Sequence, residues 1–344
     1  MIRVTESKMR RRTQKLGGRR TIIYIIVIVL LVAGNYLYDN FAPERAEASE
    51  VEAVEMTEEM AEEVETANTQ PAATQPSAAA KGKTSHAGWA ELPSQRSSND
   101  LYVVSHMCSD KLRNYTVCYS REQRAPLWVA APVHRSYKGS VKRVDNYDYD
   151  PKLPVNIQSR LNRSYGDYTR GHILGSAERT ATREMNNQTF YSSNIAPQLR
   201  EGFNERGGAW NNLEYFVDRQ ICNDTLYVVT GCIYDDYTAA DGTNVKMRKT
   251  TNKNDGERVG VPTAYYKALL RTKSGRTGKS VMECKASELK CAAFIVAHRS
   301  DAGHKPSVED MISIKELERL TGVIFFANVP NAPESKAVAE DWGL

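Results

Sequence analysis

Short runs of β-branched and aromatic residues recur along the chain between residues 101 and 329. Turn-forming residues bound each run, a pattern that is typical of β-strands. The runs are LYVVSHMC, NYTVCYS, LWVAAPVH, LYVVTGCIY, TAYYKALL, AAFIVAH and VIFFANV. Because only two segments in this region have helical periodicity, the sequence predicts an α+β domain, which we assign to residues 91–330. The remaining residues, 331–344, are predicted to form a tail.

The two helical segments each carry apolar residues along one face. The first, Ala209–Ile221, has on that face Trp210, Leu213, Phe216, Val217 and Ile221. The second, Val308–Leu320, has on that face Met311, Ile314, Leu317 and Leu320. We predict that Ser307 caps the start of the second helix and that Gly322 marks its end.

Residues 21–38 form an uncharged apolar run, TIIYIIVIVLLVAGNYLY. A helix needs about 20 such residues to cross the hydrocarbon core of a membrane. The alternative is a cleaved signal peptide, which usually has a shorter apolar region followed closely by small residues. Here the only nearby A-x-A sequence, Ala46–Ala48, lies well beyond the run. The length of the run therefore favours an uncleaved transmembrane signal anchor at 21–38.

Charge is distributed unevenly around this predicted anchor. The basic segment, residues 1–20, carries eight Lys or Arg and one acid, whereas residues 39–65 carry eleven acids and one base. The positive-inside rule then places residues 1–20 in the cytoplasm and the domain outside it, in the periplasm if the cell is bacterial. Residues 39–90 are predicted to be a disordered, acidic and low-complexity linker. Its part Thr66–Lys83 can bury too little apolar surface to order itself, whereas a transient helix is the alternative for Glu44–Glu65.

The domain itself is mildly basic. From Glu91 onward the chain carries 35 bases and 30 acids, an excess that suits a polyanionic partner without requiring one. The six cysteines include no CxxC pair, so their spacing does not suggest a zinc site.

An even number of cysteines suggests disulfides if the domain is exported, and buried thiols if it is cytosolic. Two bridges across predicted hairpins are sterically reasonable, Cys108–Cys118 and Cys284–Cys291. A Cys222–Cys232 bridge is not expected, because the strand between these residues would span more than about 20 Å. A disulfide requires Cα atoms roughly 4.4–6.8 Å apart.

The segment Tyr168–Glu214 is the most informative part of the chain for function. Its His172 alone would more often be structural than catalytic, but Arg170 precedes it and an Asn/Gln-rich segment follows. Phosphodiester cleavage needs a base that works near neutral pH, which histidine supplies. It also needs a cation for the charge that develops on the phosphate, which arginine supplies. A hard metal ion bound by oxygen ligands usually completes such a site.

This segment resembles the DNA/RNA non-specific endonuclease family, the ββα-metal nucleases that include mitochondrial endonuclease G. The family's Asp-Arg-Gly-His motif corresponds to Thr169–His172, and its Asn-x-x-Pro-Gln segment to Asn194–Gln198. An asparagine before a Trp-x-x-Leu-Glu helix corresponds to Asn204 and Trp210–Glu214. The likeness covers roughly residues 100–326. It implies a central antiparallel sheet that carries a ββα-metal catalytic element.

The resemblance also implies roles for particular residues. His172 would be the general base that deprotonates the attacking water, with Arg170 beside it as a cation for the phosphate. Arg143 resembles the upstream arginine that stabilises the pentacovalent transition state, although a surface arginine is almost equally expected there. Asn204 would be the direct protein ligand of a single Mg²⁺, for which Mn²⁺ is the expected substitute. Glu214 would orient a metal-bound water or Asn204 itself, and its alternative is a solvated helix face.

Two departures from the family pattern affect these assignments. Thr169 stands where the motif has an aspartate, so that one charge near His172 is missing and its pKa can differ. Residues Glu205–Ala209 separate Asn204 from the helix, two residues more than the usual spacing. If this insertion does not bulge out, the alternative metal ligands are Asn211 and Asn212.

The sequence therefore predicts a metal-dependent endonuclease that hydrolyses DNA and RNA without sequence preference and, from the resemblance, leaves 5′-phosphates. Its partners would be DNA and RNA, together with a membrane through the N-terminal helix. The alternative is a catalytically weakened nucleic-acid-binding module on the same fold, which Thr169 and the insertion would favour.

Overall fold

The computed structural model describes residues 86–300 and 303–344. The predicted basic segment, the signal anchor at 21–38 and most of the linker lie outside the described residues. Within the described ranges, no helix combines the length and apolar character needed to cross a membrane.

The described part of the chain is built from thirteen strands and four α-helices. The strands are β1 (Leu101–Met107), β2 (Arg113–Ser120), β3 (Ala125–Val133), β4 (Thr169–His172), β5 (Ile195–Gln198), β6 (Leu226–Ile233), β7 (Tyr237–Thr238), β8 (Asn244–Val245), β9 (Arg248–Thr251), β10 (Arg258–Val261), β11 (Ala264–Thr272), β12 (Leu289–Ala297) and β13 (Met311–Ile312). The helices are α1 (Arg183–Gln188), α2 (Ala209–Asp218), α3 (Ile314–Thr321) and α4 (Ala339–Trp342).

Seven of these strands form a central sheet in the order β1-β2-β3-β6-β11-β12-β13. Every neighbouring pair in it is antiparallel. The predicted α+β fold with a central antiparallel sheet is therefore confirmed. Six of the seven predicted strand runs fall on strands of this sheet.

The central sheet is buried on both faces, because successive side chains of a strand point to opposite sides. Along β11, Tyr265 belongs to one hydrophobic core and Tyr266 to the other. Helix α2 covers the first face through Trp210 and Leu213, and α3 covers the second face through Leu317. Each large apolar side chain buried in this way stabilises the fold by roughly 1.5–3 kcal/mol.

A small hairpin, β4 and β5, lies outside the central sheet and precedes α2. Its strands are antiparallel, with Thr169 opposite Gln198 and His172 opposite Ile195. Ile195 is fully buried in the same core as α2, so the hairpin and the helix cover the same face of the sheet. These two strands and the following helix form the ββα element that the sequence predicts.

Helix α3, the second of the two predicted helices, begins at Ile314 rather than at Val308. Met311–Ile312 form an edge strand beside β12, and this pairing occupies their backbone before the helix starts. Ser313 caps α3, because its side chain accepts a hydrogen bond from the amide of Glu316. Ser307, the predicted cap, instead begins a separate 3₁₀ turn. Gly322 ends α3 as predicted, with a φ of 68°.

The run VIFFANV, predicted as a strand, forms a buried turn instead. Ile324 makes an isolated bridge to Ser94, and Phe326 has a φ of 49°, which an extended strand does not allow. Phe325 and Phe326 are fully buried in the core that α3 covers. The apolar character of this run therefore reflects burial rather than strand pairing.

Residues 331–344, predicted as a tail, are part of the fold. Trp342 in α4 is only 2% exposed. Its ring meets Phe294 of β12 edge-on, with 6.4 Å between ring centroids, and the ammonium of Lys290 lies 4.3 Å from its centroid. The segment therefore packs on the same core as α2.

The predicted disulfides Cys108–Cys118 and Cys284–Cys291 are wrong, because no disulfide is formed in the described part of the chain. In the β1–β2 hairpin, Cys118 stands opposite Val103 while Cys108 lies beyond the end of β1, so the register separates the two cysteines. A 3₁₀ turn at Ala286–Glu288 separates Cys284 from β12. The strand predicted between Cys222 and Cys232 is present as β6, which includes Cys232.

Candidate active site

A cleft of about 250 Å³ opens beside the ββα element. It brings together the five residues that the sequence predicts as functional. They are Arg143 from the loop after β3, Arg170 and His172 from β4, Asn204 from the turn before α2, and Glu214 from α2.

His172 forms part of the cleft wall and is 8% exposed. Its imidazole packs edge-on against Phe190, with ring centroids 4.9 Å apart. The buried Nε2 atom has no hydrogen-bond partner among the described residues. Burial and, after it, the charge of Arg143 lower the pKa of His172 to about 3. The imidazole is therefore neutral at ordinary pH and can accept a proton.

Tyr147 holds the two arginines of the cleft in place. The guanidinium of Arg170 stacks on its ring at 3.7 Å from the centroid and donates to the carbonyl of Leu161 at 2.8 Å. The Nη2 of Arg143 donates to the Tyr147 hydroxyl at 3.2 Å, and its Nε donates to Asp145 at 2.6 Å. Stacking and hydrogen bonding together fix both charges at the cleft wall.

Asn204 lines the cleft at the end of the turn that leads into α2. Its Nδ2 atom donates to Thr169 Oγ1 at 3.4 Å, and that hydroxyl donates to the carbonyl of Gln198 at 3.0 Å. No residue in the described ranges donates to Asn204 Oδ1. The threonine that replaces the family's aspartate therefore holds the amide nitrogen of Asn204 and leaves its oxygen open.

The insertion before α2 folds into a turn that leaves Asn204 in the cleft. The amide of Gly208 donates to the carbonyl of Glu205 at 2.8 Å, and Gly208 is the N-cap of α2. A Cβ atom on Gly208 would overlap the backbone of Phe203, so this close approach requires glycine.

The two alternative metal ligands behave differently. Asn211 lines the cleft, but its Oδ1 accepts a hydrogen bond from the amide of Gly207 at 3.2 Å. Asn212 donates instead to the carbonyl of His304 at 2.9 Å, and it does not line the cleft. Of the two asparagines that line the cleft, Asn204 is thus the one whose amide oxygen accepts no hydrogen bond from the described residues.

Glu214 and Asp218 are the two carboxylates of α2 that line the cleft. Burial raises the pKa of Glu214 to about 7; the charge of Lys267 opposes this shift and the charge of Glu178 adds to it. Lys267 is itself buried, with its ammonium 3.2 Å from Thr230 Oγ1 and 3.8 Å from Glu178 Oε1. A cation bound in the cleft would lower the pKa of Glu214 and favour its carboxylate form.

Sequence reasoning missed three of the side chains that organise this cleft, namely Tyr147, Glu178 and Lys267. The signal for Lys267 was present, because it is a charged residue inside the otherwise apolar run TAYYKALL. A buried lysine requires a partner, and the partner here is Glu178. Tyr147 and Glu178 lie in irregular segments without a repeating pattern.

The residues present fit a hard divalent cation. In the described part of the chain, no group of three or more His, Cys, Asp or Glu side chains could hold a metal ion. The cleft instead offers the amide oxygen of Asn204 and the carboxylate of Glu214. Such sparse oxygen ligation suits Mg²⁺, which keeps several of its water ligands when it binds to proteins.

The chain is similar in sequence to a known family of nucleases. The sequence model of the DNA/RNA non-specific endonuclease family matches residues 101–332, more than half of the chain. The chain belongs to this family. The match includes the ββα element and the five predicted site residues.

Mitochondrial members of the family are among the relatives of this chain. The human nuclease EXOG is 25% identical over 231 residues, which are 65% of this chain and 58% of that protein. Human endonuclease G is 25% identical over 222 residues, 63% of this chain and 68% of that protein. Nuclease C1 of Cunninghamella echinulata var. echinulata is 27% identical, over 62% of this chain and 80% of that protein. The chain thus spans little more than half the length of the EXOG proteins.

The fold is also similar to a solved structure of the family. A crystal structure of the EndoG/EndoGI complex, which concerns the inhibition of EndoG, superposes with a TM-score of 0.51 at 25% identity. The superposition covers 71% of this chain and 89% of that chain. The α+β architecture is therefore shared with this nuclease.

Proposed function

We propose that this chain is a metal-dependent endonuclease that hydrolyses the phosphodiester bonds of DNA and RNA. The observation that carries the proposal is the Nε2 atom of His172, which is buried at the cleft without a partner in the described part of the chain. A buried polar atom without a partner is costly and is expected mainly where a substrate or water completes the bonding. Because the chain belongs to a nuclease family, we infer that this atom takes part in phosphodiester cleavage.

The task of His172 is to take a proton from the attacking water. The oxygen of that water bonds to phosphorus while the bond from phosphorus to the 3′-oxygen breaks, and the leaving oxygen gains a proton. His172 is neutral before substrate binds, because burial and Arg143 keep its pKa low. The negative phosphate then favours the protonated form, so that His172 becomes a stronger base as substrate enters.

Arg143 and Arg170 stabilise the charge that accumulates on the phosphate oxygens. Both arginines already make hydrogen bonds within the fold. Little free energy is therefore needed to reorganise them during the reaction. Mg²⁺, when bound, supplies a Lewis acid that activates water and neutralises the phosphate. Asn204 and Glu214 would hold it through the amide oxygen and through bound water respectively.

The same residues account for cleavage without sequence preference. The cleft is lined by the cations Lys138, Arg143 and Arg170, which can bind the phosphate oxygens of a nucleic acid strand. Phosphate contacts position a nucleic acid strand but carry no sequence information. We therefore infer that both DNA and RNA are substrates.

The first test is cleavage of plasmid DNA and of RNA with Mg²⁺, compared with the same reaction in excess EDTA. We expect products of broadly distributed length from both substrates with Mg²⁺ and no cleavage with EDTA. Restoring Mg²⁺ to the EDTA sample, or adding Mn²⁺, should restore the activity. Binding without cleavage under all these conditions would instead favour the nucleic-acid-binding module.

We propose further that residues 21–38 anchor the chain in a membrane, with the domain outside the cytoplasm. The support is the uncharged run and the opposite charges on its two sides. The test is a fusion of alkaline phosphatase after Leu344, which is active only when it is exported. We expect an active fusion, and a fusion to a cytoplasmic reporter at the same position should be inactive. The reverse pattern would refute this topology.

A further inference from the structure

We propose that a groove beside the cleft binds a single-stranded segment of the substrate, with one base stacked on Tyr215 and phosphates bound by Arg219 and Lys305. The groove has a volume of about 450 Å³ and runs along the outer side of α2. This inference rests on the proposed nuclease function and names the form of nucleic acid that the enzyme holds best.

Tyr215 connects the two depressions. It lines the cleft together with Glu214, and it also lines the groove. Its side chain is 58% exposed, and no other tyrosine, tryptophan or phenylalanine in the described ranges is exposed. A large exposed aromatic ring next to a candidate catalytic carboxylate can stack on a ligand that has an aromatic face.

Among the described residues, the two cations of the groove, Arg219 and Lys305, have no ion-pair partner. Arg219 follows Tyr215 by one helical turn, so both residues lie on the same side of α2. Neither Arg219 nor Lys305 forms a salt bridge or a side-chain hydrogen bond with the described residues. By contrast, Lys138 on the cleft side of α2 is paired with Asp218 at 2.7 Å. Two cations that no described residue pairs with, beside an exposed ring, match a polyanion that carries aromatic bases.

A single strand fits this arrangement better than a duplex. In a duplex the flat faces of the bases are covered by their neighbours, and a side chain can reach only their edges. In a single strand a base can turn out and stack on a side-chain ring, whatever its identity. Stacking on Tyr215 would therefore increase affinity for single strands without introducing sequence preference.

The experiment measures binding of the full chain to a fluorescent single-stranded oligonucleotide and to its duplex, in EDTA so that no cleavage occurs. We expect Tyr215→Ala to weaken single-strand binding by about tenfold and duplex binding far less. Tyr215→Phe should restore the wild-type affinity, because it keeps the ring. Lys111→Ala, in the turn between β1 and β2, is the control for loss of an exposed side chain and should change neither affinity.

The two cations are tested by the salt dependence of the same binding. Each lost phosphate contact should reduce the slope of log affinity against log salt by about 0.7 for a single strand. We therefore expect the double variant Arg219→Ala/Lys305→Ala to reduce the slope by about 1.4. An unchanged slope would overturn the phosphate contacts, and an equal loss of single-strand and duplex affinity in Tyr215→Ala would overturn the stacking.

Kinetics separate this inference from the proposed function. With Mg²⁺ present, Tyr215→Ala should raise KM for the single strand by about tenfold. If the wild-type chain cleaves nothing, the proposed function fails, whereas the binding measurements in EDTA still decide the groove. If the wild type cleaves and Tyr215→Ala matches it in both KM and affinity, the groove proposal alone is wrong.

Discussion

Replacing His172 by alanine is expected to reduce phosphodiester cleavage by about 10²–10⁴-fold, the usual cost of losing one general base. The loss should appear in kcat, because the cleft retains Arg143, Arg170 and Asn204 to bind the substrate. The measurement is steady-state cleavage of a fluorescent oligonucleotide with saturating Mg²⁺. His86→Ala is the matched control, since His86 is exposed and does not line the cleft. Near-normal turnover in His172→Ala would remove this residue from the mechanism.

The stability of the same variant provides a second readout. The neutral imidazole of His172 is favoured in the folded state, because its pKa falls from 6.5 to about 3. Stability from this group is therefore present above pH 6.5 and is lost as the pH falls toward 3. At pH 5 the wild type should have lost about 2 kcal/mol of unfolding free energy through this group. His172→Ala should lack that part of the acid sensitivity, which chemical denaturation at pH 7 and pH 5 would show.

Replacing Asn204 by alanine is expected to lower activity by about 100-fold or more and to raise the Mg²⁺ concentration needed for half-maximal rate. A group that only orients a metal ligand typically contributes 10–100-fold, and a direct ligand should contribute at least as much. The experiment is a titration of cleavage rate with Mg²⁺ for each variant.

The chain itself offers the comparison variants for this titration. Asn212→Ala should leave the Mg²⁺ concentration needed for half-maximal rate unchanged, because Asn212 bonds to the carbonyl of His304 outside the cleft. Thr169→Val should show a smaller shift in the same direction as Asn204→Ala, since it removes the hydroxyl that holds Asn204 Nδ2. If Asn211→Ala instead produces the large shift in Mg²⁺ dependence, the metal ligand is Asn211.

Much of the fold could be predicted because its strands are long and carry residues suited to sheets. The prediction was wrong where short-range patterns do not determine the structure. Met311 fits a helical pattern, yet its backbone pairs with β12, and Phe325 lies in a turn that only the surrounding core explains. Trp342 was predicted to lie in a tail, and only its contacts with Phe294 and Lys290 show that it is part of the fold.

The residues of the candidate site likewise divide into those that the sequence could locate and those that it could not. His172, Asn204 and Glu214 could be located from sequence, because they follow one another in the ββα element and retain motif residue types. Tyr147 could not, because its importance comes from contacts with two arginines that are distant from each other in sequence. The pairing of Lys267 with Glu178 likewise joins residues that only the folded sheet brings together.

The packing of the ββα element on the central sheet also affects when the cleft can form during protein synthesis. Phe203 and Trp210, which flank the insertion, pack against Tyr265 of β11, with ring centroids 5.2 Å away in each case. Because a chain emerges from the ribosome N-terminus first, residues 169–218 are made before this support exists. A nascent chain that ends before β11 contains all the residues that line the cleft, but it lacks the buried Lys267. It also lacks Tyr265, against which Phe203 and Trp210 pack. Assembly of the candidate active site is therefore delayed until late in translation, after any N-terminal anchor has already emerged.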